Sequence, residues 1–331
     1  MAGRMLCAAL FFRKGGYVLL RYTIKRLIGL VLVLFGVTIL SFVIANISAV
    51  EPAEAYVKMN SMVPTEENLE KAREELGLDK PILEQYTDWL KGAVHLDFGT
   101  SYASKGDVGQ ELMSRFPSTL YLVSVSIAIV ALMTVLLGVL SALYKGKWPD
   151  KLIHAVTLVG ASTPIFWLGY ILVLLFAITF SLVSVTGYGD WNTVLLPAIT
   201  LAVPMIGTNT RVLRANILEN MNQDYVLYAQ ARGLSRRKII GKHILKNAAA
   251  PMLTILAQTF GSAVASSMLI EAVFSWPGIG NYAVSAILNR DLPVINAYVV
   301  VMAVVFVICN LLADLIQMKF NPKLLTEGGD I

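Results

Sequence analysis

The sequence predicts an all-α, polytopic membrane protein with six transmembrane helices. Three observations predict it. The 331-residue chain is 56% hydrophobic and only 15% charged, too little polar sequence to cover a soluble globule. The charges cluster and leave long bare runs, and about 20 apolar helical residues cross a hydrocarbon layer roughly 30 Å thick. Lys and Arg divide unevenly between the two sets of connecting segments, nineteen against eight, and the richer set marks the cytoplasmic side. Six spans then leave both termini in the cytoplasm.

The elements follow in order. Residues 1–26 are a basic cytoplasmic tail with Arg4, Arg13, Lys14, Arg21, Lys25 and Arg26. Its apolar patch at 5–12 is short and runs into Arg13 and Lys14, so no cleavable signal is expected. Residues 27–50 are uncharged and form the first span. Residues 51–115 form an extracytoplasmic helical loop with thirteen acidic and seven basic residues. Two helices are predicted inside it. Thr65 caps the first, Glu66 and Glu67 stand in its first turn, Leu69, Ala72 and Leu76 share a face, and Gly77 stops it. Pro81 suits the first turn of the second. The pair either covers a pore mouth or packs on the span ends. Residues 116–318 form a core of five spans, and 319–331 a second cytoplasmic tail. The bare runs in that core are 116–144, 152–189, 191–210, 247–270 and 292–313. The run at 152–189 is too long for one span and short for two. Pro164 interrupts it, which predicts an interfacial helix before the proline and a span after it.

Two connections stand out. "DYVLYAQARGLSRRKIIGKHILKNAAAP" (224–251) is the densest basic stretch and lies in a cytoplasmic loop assigned to 215–250. Asp224 is expected to cap a helix that contains Ala229 and Ala231 and ends at Gly233. Ser235 then starts a second short helix with Arg236, Arg237 and Lys238 exposed. Two short helices at an angle make a rigid protrusion suited to a partner's groove. On the other side, "FSWPGIGNYAVSAILNRDLP" (274–293) re-enters after the fifth span, and Pro277, Gly278 and Gly280 break the helix. Glu271 follows an uncharged run, and a carboxylate near membrane depth is paired or faces a cavity. Glu271, Pro277, Gly278 and Gly280 are therefore read as an outer gate or re-entrant turn, against the alternative of an interfacial Glu271 at a helix end.

Enzymatic chemistry is not expected. No Gly-X4-Gly-Lys-Ser/Thr loop occurs, and "GKH" at 241–243 lacks its flanking residues, so this chain binds no ATP by that device and no other cofactor. His95, His154 and His243 are scattered; His95 with Asp97 is the one weak candidate for a transient metal contact. Cys7 and Cys309 lie in a tail and a span and form no disulfide framework. Ser41, Asn46, Thr208 and Asn209 either line a path or hydrogen-bond between helices. An ion-coupled secondary transporter would show internal repeats and ionisable residues at mid-membrane. A membrane enzyme would show polar residues converging at one depth. Neither pattern is evident, and nucleic acid is not an expected partner.

The loop at 224–251 resembles the cytoplasmic coupling loop of importer permeases in the ATP-binding-cassette superfamily, which carries Glu-Ala-Ala, then Gly, then a hydrophobic-Leu-Pro ending. Ala229 and Gly233 match that pattern. Leu227 and Tyr228 depart at the Glu and first Ala positions, and Lys246 follows Leu245 where the pattern has Pro. These departures are similar to the peptide and nickel branch, as are "RYTIKRL" (21–27), "HLDFGTSYA" (95–103), "STPIFWL" (162–168) and "EAVFSWPGIGNYAVSAILNRDLPV" (271–294). The resemblance implies the type I importer permease fold in a bacterial cytoplasmic (inner) membrane. It implies an ATPase-coupling set of Asp224, Tyr225, Ala229, Ala231, Arg232, Gly233 and Leu234. It also implies a second homologous permease subunit in a heterodimer, two ATPase subunits that hold ATP–Mg, and an extracytoplasmic substrate-binding protein. "KGAVHLDFG", "TGYGDW" and "EPAEAYVKMNSMVPTEENL" look most like nickel-import permeases, so nickel or a nickel chelate is the expected cargo, with di- or oligopeptides the alternative.

Overall fold

A computed structural model describes residues 24, 28–43, 52–60, 62–183, 187 and 189–320, apart from the side chains of 236, 249, 250 and 316–320. Most of the described residues are helical, and among them Thr100 and Asp107 form an isolated antiparallel bridge. α1 spans Ile28–Val43, within the predicted first span. α2 (Pro52–Met59), α3 (Glu66–Glu75) and α4 (Ile82–Val94) make a small cap. α5 (Val108–Leu143), α6 (Trp148–Ser162), α7 (Ile165–Leu172) with a π-helical turn at Val173–Thr179, and α8 (Trp191–Met221) follow. After α9 (Asp224–Ala231) come α10 (Arg236–Lys238), a π-helical turn at Ile239–Ile244, α11 (Leu245–Val273), α12 (Ile279–Asn289) and α13 (Leu292–Phe320).

Among the described residues, four helices are long and apolar enough to cross a membrane: α5, α8, Pro251–Val273 of α11 and Leu292–Leu315 of α13. The bent pair α6–α7 makes a fifth if taken as one span. α5, α8 and α11 pack around Leu122, Val123, Val194, Leu201, Ala263, Val264 and Ile270, with Phe274 and Trp276 closing one end. α5 opens at Val108, ahead of the uncharged run, because the Asp107 side chain accepts from the Gln110 N–H at 2.7 Å and caps the helix there.

At Pro164 the helix does break, and α6 and α7 meet at 104°. The half before the proline lies along α8: a methyl on Gly160 would meet Val203, and one on Gly207 would meet the Thr157 carbonyl and Ala161. Lipid supplies no hydrophobic drive between helices, so close approach at small residues holds the pair together.

The cap follows the predicted chemistry in part. Thr65 Oγ1 accepts from the Asn68 N–H at 3.4 Å, and Gly77 has φ +65° where α3 stops. Pro81 stands just before α4 rather than inside its first turn. Ala72, with Leu69 and Leu76, packs on Ala53, Tyr56 and Val57 of α2. α2 is a third helix that the sequence reading missed, because eight residues give too little periodicity to recognise. Thr38 on α1 shares a hydrogen bond with the Tyr86 hydroxyl at 2.9 Å, and Ser41 donates to Asn296 on α13, so α1 is tied to the cap and to the bundle.

Gly207→Ala places a methyl against the Thr157 backbone, which cannot turn away. It is expected to destabilise the detergent-solubilised protein by about 1–3 kcal/mol. Gly36→Ala, which meets nothing within 4 Å inside α1, is expected to hold stability or raise it by up to about 1 kcal/mol. Thermal unfolding followed by a thiol-independent dye checks both.

Candidate functional site

The chain's special features gather at the two ends of the bundle. At one end, Asn222 and Gln223 turn α8 into α9. One face of α9 is sealed: Val226 and Ala229 are buried in a cluster with Ala142 of α5, Leu213 and Ile217 of α8, and Ile239, Ile244, Ala248 and Met252. Leu234 and Tyr225 pack at the edge of that cluster, and the Tyr225 hydroxyl donates to Asn220 Oδ1 at 2.9 Å. The other face projects: Leu227 is 62% exposed and Tyr228 76%. Ala231 and Arg232 are exposed beside them. α9 ends where Gly233 takes φ +73°, with its N–H donating to the Gln230 carbonyl at 2.9 Å and the Leu234 N–H to Ala229 at 3.2 Å. A β-carbon is strained at that φ.

The seven residues predicted for coupling thus share one short protrusion, but two details differ. Asp224 is the first helical residue, not the cap; Gln223 holds the cap position without a side-chain bond. The Asp224 carboxylate still complements the positive end of the helix. The second short helix is not separate either. From Ser235, whose carbonyl accepts from the Lys238 and Ile239 N–H groups, the helix runs through the π-helical turn into α11 without a stop. Ile239 and Ile244 stand five apart, and the π pitch turns both into the cluster. The sequence reading also missed Leu227 and Tyr228 as the outward face. The available signal was that these two positions carry large apolar side chains where the loop pattern has Glu and Ala.

At the opposite end, α11 stops at Val273 and the chain turns back into α12. Glu271 is fully buried there. Its Oε2 accepts from the Gly280 N–H at 2.7 Å and the Asn281 N–H at 3.1 Å, and its Oε1 from the Ser267 hydroxyl at 3.0 Å. The Thr119 hydroxyl of α5 also bonds to this carboxylate, while Thr119 Oγ1 accepts from the Ile279 N–H at 3.0 Å. The Trp276 indole N–H donates to the Ser118 carbonyl at 3.0 Å. One carboxylate therefore caps α12 and joins α5, α11 and α12. Gly278 and Gly280 are required by proximity: a methyl on either would strike the Glu271 carboxylate, and on Gly280 also the Met268 backbone. Glu271 thus stands two residues before the end of α11, buried in protein and paired with four donors. A second anchor was not legible in the sequence. Asp291, just past α12, accepts from the Ser101 hydroxyl at 2.5 Å and the Ala103 N–H at 3.1 Å, from residues far away in the chain.

Among the described residues, no three His, Cys, Asp or Glu side chains stand close enough together to hold a metal ion. His95 Nδ1 bonds to the Lys91 carbonyl at 2.8 Å where α4 ends, and Asp97 Oδ1 accepts from the Gly99 N–H at 3.0 Å in the turn that follows. The polar span residues make helix contacts. Asn209 Nδ2 donates to Thr259 Oγ1 at 3.3 Å between α8 and α11, and Thr208 Oγ1 bonds to the Pro204 carbonyl at 3.4 Å. Asn46 lies outside the described residues.

A bundle of long apolar helices, with an apolar-tipped helix exposed at one end and a capped helix turned back at the other, defines a multi-pass membrane protein. The chain belongs to the family of binding-protein-dependent transport system inner membrane components, whose pattern matches residues 134–326, with the family's N-terminal companion pattern matching residues 19–123. It is 32% identical over 306 residues to the glutathione transport system permease protein GsiC of Escherichia coli (strain K12), covering 92% of this chain and 99% of that one. The GsiC of Shigella dysenteriae serotype 1 (strain Sd197) matches to the same extent. A solved inward-facing structure of the MetNI methionine ABC transporter superposes with a TM-score of 0.54 at 17% identity, over 63% of this chain and 96% of that one, and shares the fold. The chain is thus the permease component of a binding-protein-dependent transport system, and not an ATPase.

Glu271→Ala leaves the Gly280 and Asn281 N–H groups buried without an acceptor and is expected to cost about 2–4 kcal/mol. Glu271→Gln, which retains one acceptor oxygen, is expected to cost less. Melting temperature in detergent, with protease sensitivity of the 274–291 segment, tests the order. Equal stability of Glu271→Ala and the native protein would refute the capping role.

Proposed function

We propose that the chain is the permease half of an ATP-driven importer for small peptides, with glutathione-like tripeptides as the first cargo to examine. The observation that carries this reading is the relationship to a glutathione permease, which extends over 92% of this chain and nearly the whole of that relative. Nickel or a nickel chelate is the second reading. It is supported by the outer segments "KGAVHLDFG" and "TGYGDW", which resemble nickel-import permeases.

In this proposal the α9 end faces the cytoplasm of a bacterial cell, in keeping with the excess of Lys and Arg on that side. The coupling set Asp224, Tyr225, Ala229, Ala231, Arg232, Gly233 and Leu234 forms the protrusion. Leu227 and Tyr228 supply its apolar contact to one of two ATPase subunits, where ATP–Mg is held and hydrolysed. Closure of the ATPases moves α9, and the cluster behind Val226 and Ala229 passes that movement to α5, α8 and α11. A second, homologous permease completes the path in a heterodimer, and a binding protein delivers cargo at the α12 end. The re-entrant turn at Glu271, Pro277, Gly278 and Gly280 borders the outer mouth. This chain itself needs no cofactor. Selectivity rests with the binding protein, because a tight site inside the path would retain the cargo.

Uptake of labelled glutathione, a labelled dipeptide and radiolabelled nickel is measured in proteoliposomes that contain the complete importer. ATP-dependent uptake of peptide that ignores excess nickel is expected. Uptake of nickel alone would replace the peptide reading with the second one. Gly233→Val forces a β-branched residue into a left-handed backbone at a cost of roughly 1–2 kcal/mol. Membrane insertion should persist while ATPase co-purification and uptake both fall; normal uptake would count against the coupling assignment.

A further inference from the structure

We propose that the Asp150–Arg214 ion pair is a positioning latch that carries movement of α9 to the α5–α6 turn, and so sets how much transport accompanies each ATP hydrolysed. The proposal rests on α9 being the ATPase contact, and not on which cargo is carried.

Asp150 lies in the first turn of α6 and is 5% exposed, although it is charged and close to a chain turn. Its two oxygens are filled by four donors from three places. Arg214 of α8 donates in a fork, Nε to Oδ1 at 2.8 Å and Nη2 to Oδ2 at 2.7 Å. Ser141 in the last turn of α5 donates its hydroxyl to Oδ1 at 2.5 Å. Gly146, in the intervening turn at φ +78°, donates its N–H to Oδ2 at 2.8 Å. One side chain therefore joins the end of α5, the turn and α8.

The position of this knot matters as much as its strength. The chain neighbours of its two side-chain donors, Ala142 beside Ser141 and Leu213 beside Arg214, belong to the cluster that buries Val226 and Ala229 of α9. Gly138 leaves the room that the Leu213 side chain fills. α9 packs on the π-helical turn at Ile239–Ile244, and through the shared cluster it is joined to the same turn of α5 and the same turn of α8 that the latch ties together. α6 also packs closely on α8 at small residues, Gly160 at Val203 and Gly207 at Thr157, contacts that carry no directional bond. A bidentate guanidinium–carboxylate pair fixes angle as well as distance, and an ammonium cannot replace it in that respect. With the latch in place, a shift of α9 displaces α8 and α6 together. Without it, α8 moves past α6 and the displacement stops at the cluster.

The test uses the complete importer in proteoliposomes with Asp150→Asn or Arg214→Lys; the second keeps the charge and loses only the fork. Co-purification of the ATPases should be retained and basal hydrolysis should stay within about twofold, while cargo moved per ATP falls by about threefold to thirtyfold. An unchanged ratio in both variants overturns the proposal. A parallel loss of assembly, hydrolysis and uptake in both would make the pair a folding brace and overturns it equally. If the wild-type complex hydrolyses ATP but takes up neither glutathione nor nickel, the cargo reading fails by itself. The latch is then judged on the distance between spin labels at the exposed positions Leu152 of α6 and Gln230 of α9, which should hold on vanadate trapping in the wild type and change in the variants; equal behaviour in both overturns the proposal.

Discussion

The Glu271 carboxylate solves the problem on which the re-entrant end of this bundle depends. Backbone N–H groups near membrane depth have no water to bond with, so a helix that starts there must find an acceptor inside the protein. α12 begins buried in the protein, where water is equally absent, directly after α11 has ended. Glu271 lies two residues before the end of α11 and reaches the first N–H groups of α12. Thr119 receives the Ile279 N–H, and the Trp276 indole returns a bond to α5. The glycines at 278 and 280 follow from the same requirement, since the acceptor has to approach the backbone closely.

α11 connects this anchor to the α9 protrusion. Its 29 residues rise about 43 Å at 1.5 Å each. Ala248 and Met252 near its start lie in the cluster behind α9, and Glu271 near its finish caps α12. Because α10 and the π-helical turn join α11 without a break, the segment after Gly233 is the foot of a rod and not a second hinged piece. In the proposed mechanism this favours tilting of the rod about its anchored end over deformation along its length.

Much of this was legible in the sequence because it depends on local chemistry. Thr65, Gly77 and Gly233 announce helix ends by their own conformational preferences, and Pro164 announces a break. Uncharged run length located the helices long enough to cross. What could not be read depended on partners far apart in the chain. Asp150 and Arg214 are separated by 64 positions and Ser101 and Asp291 by 190, and neither spacing has a periodic signature. The placing of α6 depended on Gly160 and Gly207 meeting another helix, which a local reading of Pro164 cannot foresee. Asp224 was misplaced by one position because extended backbone, not side-chain type, decides which residue caps.

The two buried carboxylates show how charge can be used in opposite ways within one bundle. Glu271 is held by hydroxyls and backbone N–H groups, donors that are short and rigidly mounted on three helices. Such a carboxylate can move only if the helices themselves separate, so it fixes their relation. Asp150 takes half of its donors from the long side chain of Arg214. The fork fixes angle as well as distance, so α6 and α8 are joined by one side-chain pair and not by a set of backbone groups. A transporter driven from one end needs both kinds of joint: one that anchors helices to each other where they end, and one that passes a displacement from helix to helix where the force enters. The distribution of donors in this fold places the first at the α12 end and the second near α9.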